Sequence, residues 1–114
     1  MLKLNHKKLT VWKKCIELVK TVYFITKTFP KEELFGITSQ LRRASVSVPS
    51  NIAEEASRKS TVERARFFEI ARSSLVEIDT QIEISLELSY LKMNEIDELG
   101  KLTNEIFAML SAMK

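Results

Sequence analysis

Apolar residues recur at helical spacing along almost the whole chain. In the first segment Trp12, Ile16, Val19 and Tyr23 follow one another at steps of 4, 3 and 4, with Cys15 and Val22 beside them and Lys13, Lys14, Glu17, Lys20 and Lys27 opposite. This predicts an amphipathic helix from about Leu9 to Thr28. Phe29-Pro30 ends it, because a residue before proline is pushed out of the α region. A second helix is predicted to start within Lys31 to Leu34, to bury Ile37, Leu41, Ala44, Val48 and Ile52, and to fade around Ala56 to Lys59. Pro49 falls inside it, which predicts a kink with Ser45, Ser47 or Ser50 hydroxyls serving the freed backbone groups. Ser60 as N-cap with Glu63 in a capping box opens a third helix, Thr61 to Tyr90, carrying Phe68, Ala71, Leu75, Ile78, Ile82, Leu86 and Ser89 on one face. Asn94 is the predicted N-cap of a fourth, with Ile96, Leu99, Thr103, Ile106, Leu110 and Met113 along its seam. Four such helices with short links predict an all-α fold, an antiparallel up-down-up-down four-helix bundle. Residues 1–114 form one domain, with 1–8 expected as a basic, flexible tail.

The first helix carries more apolar surface than this packing requires. Val11, Leu18 and Ile25 repeat every seven residues on one flank of the Trp12 stripe. At about 100° per residue the apolar arc from Ile25 round to Ile16 covers roughly 180°. On the third helix Ile70, Ile84 and Leu88 lie largely opposite the Phe68 stripe. Exposed apolar patches mark interfaces, so Val11, Leu18 and Ile25 are the candidate oligomer interface, and self-association is expected.

Composition narrows the class. Two Gly and two Pro in 114 residues are too few for a turn-rich β-sandwich or barrel. Gly36 and Gly100 lie far apart, so no Gly-rich phosphate loop can be drawn. No stretch approaches eighteen uncharged apolar residues, which predicts no membrane span. The basic start is followed by a segment broken by Lys13, Lys14, Glu17 and Lys20, not by a secretory signal's apolar run. With Cys15 alone and no export signal, a reducing cytoplasm is the expected compartment.

The net charge of +3 is spread unevenly: residues 1–31 carry +7, residues 32–76 carry +1 and residues 77–114 carry −5. Two accounts fit. The ends attract each other, within the bundle or between subunits, or the basic part meets nucleic acid phosphates. The basic candidates are Lys3, Lys7, Lys8, Lys13, Lys14, Lys20, Arg42 and Arg43, the two arginines being either phosphate contacts or partners of the acidic helices.

Little points to catalysis. His6, the one histidine, lies in the basic tail and is expected to be solvated. Cys15 sits on the apolar stripe, where a buried, inert thiol is expected. Glu77, Asp79, Glu83 and Glu87 line the third helix, but without the Glu-x-x-His pairs of a di-iron bundle. Arg64, Arg72 and Asp79 read as an ion-pair ladder at the edge of the core. No catalytic, metal or cofactor site is expected, and no small-molecule substrate.

The run Leu41-Arg42-Arg43-Ala44-Ser45-Val46-Ser47-Val48-Pro49-Ser50-Asn51-Ile52-Ala53-Glu54 resembles the bacterial 23S ribosomal RNA intervening-sequence proteins, also called S23-like. The likeness extends to Leu9 to Lys14, Phe29-Pro30 with Glu33 and Gly36, Arg58-Lys59-Ser60, Phe67-Phe68 with Ala71, Glu77 to Gln81, and Tyr90-Leu91. The chain departs from the family pattern at Glu55 and Ser73, where Gly is common. Glu55 implies a continuing helix or a partner for its side chain, and Ser73 a looser third helix. The resemblance implies a four-helix bundle in a ring-like homo-oligomer, a pentamer, with no enzyme reaction attached. A related group assists reverse transcriptases through a basic surface. The expected function is a non-enzymatic oligomeric bundle binding RNA through Lys7, Lys8, Lys13, Lys14, Lys20, Arg42 and Arg43. The alternative is a protein-interaction module with no nucleic-acid role.

Overall fold

The four predicted helices form, each somewhat shorter than its apolar pattern. The computed structural model describes residues 1–113. Helix α1 spans Thr10–Thr26, α2 Ile37–Ser57, α3 Thr61–Glu87 and α4 Asp97–Ala112. Single 3-10 turns at Asn5–Lys8, Lys31–Glu33 and Met93–Glu95 precede α1, α2 and α4, and no strand occurs among the described residues. Each helix lies against its neighbours in the chain and α1 closes on α4, giving the up-down bundle. The α2–α3 contact is the most extensive and the α3–α4 contact the thinnest. At about 1.5 Å per residue α3 is roughly 40 Å long, which sets the 44 Å long axis of the molecule.

Leu41, Val48, Phe68, Leu75, Ile82, Leu99 and Ile106 are buried where their periodicity puts them. The first helix is turned differently from expectation. Val11, Leu18 and Ile25 are 5%, 0% and 7% exposed, joining Cys15 and Val22 in the core, whereas Trp12 is half-buried and Ile16 is exposed. On a wheel of about 100° per residue, the fold buries the half of the arc that runs from Ile25 through Leu18, Val11, Val22 and Cys15 to Thr26. Val11, Leu18 and Ile25 are therefore core residues, not a spare flank. The surface that remains apolar on α1 is the opposite edge, Trp12, Ile16 and Tyr23.

Helix ends follow local chemistry. The Ser60 hydroxyl accepts from the Glu63 N–H at 3.3 Å, capping α3 as expected. Asn94 caps nothing: it lies inside the 3-10 turn, and α4 begins only at Asp97 with Ile96 before it. The Glu95 carboxylate reaches back to the Lys92 N–H at 2.8 Å, which favours that turn over an earlier helix start. Helix α2 runs through Pro49 to Ser57. There the Ser45 hydroxyl donates to the Arg42 carbonyl at 2.8 Å, one turn before the proline.

Helix α3 ends with Ser89 at φ 62°, and the following N–H, of Tyr90, donates to the Ser85 carbonyl at 2.8 Å. This is a left-handed stop, which glycine adopts without Cβ strain. Ser89→Gly is expected to stabilise the protein by about 1 kcal/mol, measured as a shifted denaturant midpoint with an unchanged m-value.

Candidate nucleic-acid interface

The structure divides the predicted basic residues into engaged and free. Lys14 Nζ meets Glu105 at 2.5 Å, tying α1 to α4, and the hydrogen bond from Lys14 holds the Glu105 carboxyl below its ordinary range. Lys20 lies 3.5 Å from Glu17 on its own helix. Lys7 Nζ donates to the Leu2 carbonyl. Arg42 Nε donates to the Thr26 hydroxyl at 2.9 Å, and its guanidinium carbon lies 4.7 Å from the centre of the Tyr23 ring. Lys8, Lys13 and Arg43 are exposed, and none has an acidic partner within 4.0 Å among the described residues.

Exposed aromatic side chains gather near Arg42 and Arg43, at the turn between α1 and α2. Phe35 is 94% and Phe24 71% exposed, with Tyr23 and Leu34 also open to solvent. Tyr23, Leu34, Phe35, Arg42 and Arg43 line one groove, and Lys27, Lys31, Leu34, Thr38 and Arg42 an adjoining one. Sequence reasoning named Arg42 and Arg43 and placed Lys27 on the polar side of the first helix, but missed the exposed rings and Lys31. The available signal was Leu34-Phe35, two large apolar residues in a short link between helices, where no apolar stripe uses them.

The acidic side lies elsewhere. Glu77, Asp79, Glu83 and Glu87 are exposed on α3 without an ion pair within 4.0 Å among the described residues. The predicted ladder of Arg64, Arg72 and Asp79 does not form. Arg64 binds Glu55 at 3.1 Å, while Arg72 binds Glu69 at 3.4 Å and stacks 5.0 Å from the Phe107 ring. Glu55 both continues α2 and finds a partner, fulfilling each expectation for it. Ser73 is exposed on α3.

The most recognisable motif proves structural. Asn51 Nδ2 donates to the Ser47 hydroxyl at 3.0 Å, the Ser47 and Ser74 hydroxyls bond at 2.8 Å, and Ser74 donates to the Ile70 carbonyl at 2.9 Å. This relay sews α2 to α3 with every hydroxyl hydrogen used. Glu33 ties the two helix links together. Its Oε2 accepts from the Tyr90 hydroxyl at 2.7 Å, while Oε1 lies 3.5 Å from the Ile37 N–H at the start of α2. A Cβ on residue 36 would run into that same Oε1, so a side chain there would push the Glu33 carboxylate aside. The bond to Glu33 raises the Tyr90 hydroxyl above its ordinary pKa of 10.0. In a Tyr23→Phe background, Glu33→Gln is expected to return the Tyr90 titration toward that value, read by phenolate absorbance. An unmoved titration would show that the bond does not persist in solution.

His6 is not a solvated tail residue. The Asn5–Lys8 turn buries it, its ring edge-on to Trp12 with centroids 5.2 Å apart. Residues 5–8 are thus docked on the bundle instead of forming a free tail. Cys15 is wholly buried, and burial pushes its thiol up from 9.0 to about 12. Among the described residues no group of three His, Cys, Asp or Glu side chains is placed to hold a metal ion, and no helix is long and apolar enough to cross a membrane.

These features define a small all-α bundle with exposed cations at the start of α1 and on α2, exposed aromatic rings at the α1–α2 turn, and exposed acids along the second half of α3. The chain belongs to the 23S rRNA-intervening sequence protein family, whose family model matches residues 7–112. No curated protein matches it.

Proposed function

We infer that the protein is a non-enzymatic subunit of a homo-oligomer that binds RNA through the exposed basic edge of α1 and α2. The observation that carries this reading is the placement of Lys8, Lys13 and Arg43, exposed and without acidic partners among the described residues, while Glu77, Asp79, Glu83 and Glu87 are exposed on α3 without an ion pair. This leaves a basic surface available to phosphates. Lysine is a point charge on a flexible stem, so these contacts position a backbone and do not read bases.

Self-association rests on a different observation. Ile16 and Val46 are exposed along a groove between α1 and α2 that Trp12, Val19 and Pro49 also line. A ring of subunits, as the family resemblance implies, would repeat the basic edge and let weak contacts act together.

The test is RNA binding by the purified protein as a function of salt. Binding is expected to weaken steeply as salt rises. The double variant Lys13→Glu/Arg43→Glu should weaken it by roughly tenfold, with helicity and sedimentation unchanged. No RNA association at low salt would overturn the RNA reading and leave a protein-interaction module.

A further inference from the structure

The charged and aromatic groups at the α1–α2 turn have a more specific arrangement than a diffuse basic edge. Arg42 is fixed on two sides, its Nε donating to Thr26 at 2.9 Å and its plane held 4.7 Å from the Tyr23 ring. The two terminal nitrogens have no acceptor among the described residues, and a guanidinium held this way offers a pre-set fork to a phosphate. Lys27 and Lys31 line the same pocket. So does Thr38, 3% exposed, whose hydroxyl lacks a hydrogen-bond partner. A buried hydroxyl without a partner is a group that a ligand oxygen would satisfy.

The turn also carries the carboxylates of Glu32 and Glu33, the latter held by Tyr90 and the start of α2, but Lys27, Lys31, Arg42 and Arg43 outnumber them and leave it net positive. On the other side of Arg42 the adjoining groove carries Phe35, almost fully exposed. A phosphate site and a bare aromatic ring thus share one arginine as their common wall. Bases are free to stack on a protein ring only where they are not already stacked in a duplex.

We propose that the α1–α2 turn binds single-stranded RNA, a phosphodiester seated at Arg42, Lys31 and Thr38 and a neighbouring base stacked on Phe35. This rests on the RNA-binding reading above and narrows it to a site and a strand state. A purely apolar docking surface would not need the cations and the buried hydroxyl, which is why a nucleic acid is favoured over a protein helix.

The experiment is a fluorescence anisotropy titration of the full chain with a labelled oligouridylate of about eight nucleotides, within the usual site size. A duplex RNA of the same length and an oligoglutamate peptide serve as competitors. The single strand is expected to bind more tightly than the duplex. Phe35→Ala should weaken the single strand by roughly tenfold and leave duplex binding unchanged, and Lys31→Gln should weaken both. Both residues are exposed, so circular dichroism should show both variants folded. Equal affinity for the two RNAs, with no effect of Phe35→Ala, would overturn the stacking site while leaving RNA binding intact. Absence of any RNA binding would overturn both readings. Displacement of the oligonucleotide by the acidic peptide at lower concentration would replace the RNA with an acidic protein segment.

Discussion

Leu18→Glu is expected to unfold the bundle, not to release folded subunits from an assembly. Leu18 is fully buried in the middle of the core stripe of α1. Shortening it to alanine should cost about 2–5 kcal/mol through lost transfer energy and the cavity left behind. Glutamate adds a carboxylate where all the neighbours are apolar, and an unpaired buried charge costs several kcal/mol more. Domains of this size have total stabilities of about 5–15 kcal/mol, so most or all of it is consumed. The measurement is far-UV circular dichroism alongside sedimentation. Lost helical signal is the expected result; retained helicity with a smaller sedimenting species would instead make Leu18 an interface residue. Ile16→Glu, on the exposed edge of the same helix, should keep the helical signal.

Leu18 and Ile16 also show what the sequence could and could not decide. Periodicity alone located all four helices, because spacings of three and four recur wherever one face is buried. It did not settle the rotation of α1, since the stripes through Val11 and through Trp12 have the same period and differ only in direction. The width of the arc does not settle it either, because roughly 180° is more than one packed face needs, and which half turns inward depends on where α2 and α4 lie. The α4 start failed for another reason. Asn94 is a good N-cap by residue type, but the Glu95 carboxylate gives the Lys92 N–H a competing partner, and a tight turn forms first.

At the candidate site, charge was legible and engagement was not. Lys14 and Lys13 are neighbours in the sequence, yet the first is tied to Glu105 and the second is free. The difference depends on α4 lying across one side of α1, information held in the tertiary arrangement. Glu33, Gly36 and Tyr90 were visible as family-like positions, but their shared purpose needs a contact between residues 57 apart in the chain. Phe35 escaped because the apolar pattern predicts a second helix starting by Leu34, which makes Phe35 an off-stripe helix residue, whereas α2 begins only at Ile37 and leaves it in the link.

Cys15 provides the second large effect, through pH. Its thiol is wholly buried on the core stripe, and desolvation disfavours the thiolate, lifting the pKa from 9.0 to about 12. Below pH 9 both folded and unfolded chains carry the proton, and the full stability is present. Above it the unfolded chain loses the proton while the folded chain keeps it, so the unfolded state is stabilised relative to the folded one with each unit of pH. The loss continues until the folded thiol itself ionises, and over the whole interval it amounts to roughly 4 kcal/mol. Lysines and tyrosines also change charge in this range, so the thiol is isolated by comparison with Cys15→Ala. Denaturant unfolding at pH 8.5 and pH 10.5 should show the wild type losing about 2 kcal/mol more than the variant. The variant is less stable at the lower pH because of its small cavity, and the gap between the two proteins narrows as pH rises. Equal losses in the two proteins would mean that the Cys15 thiol ionises within the fold, and hence that water reaches the centre of the α1 stripe.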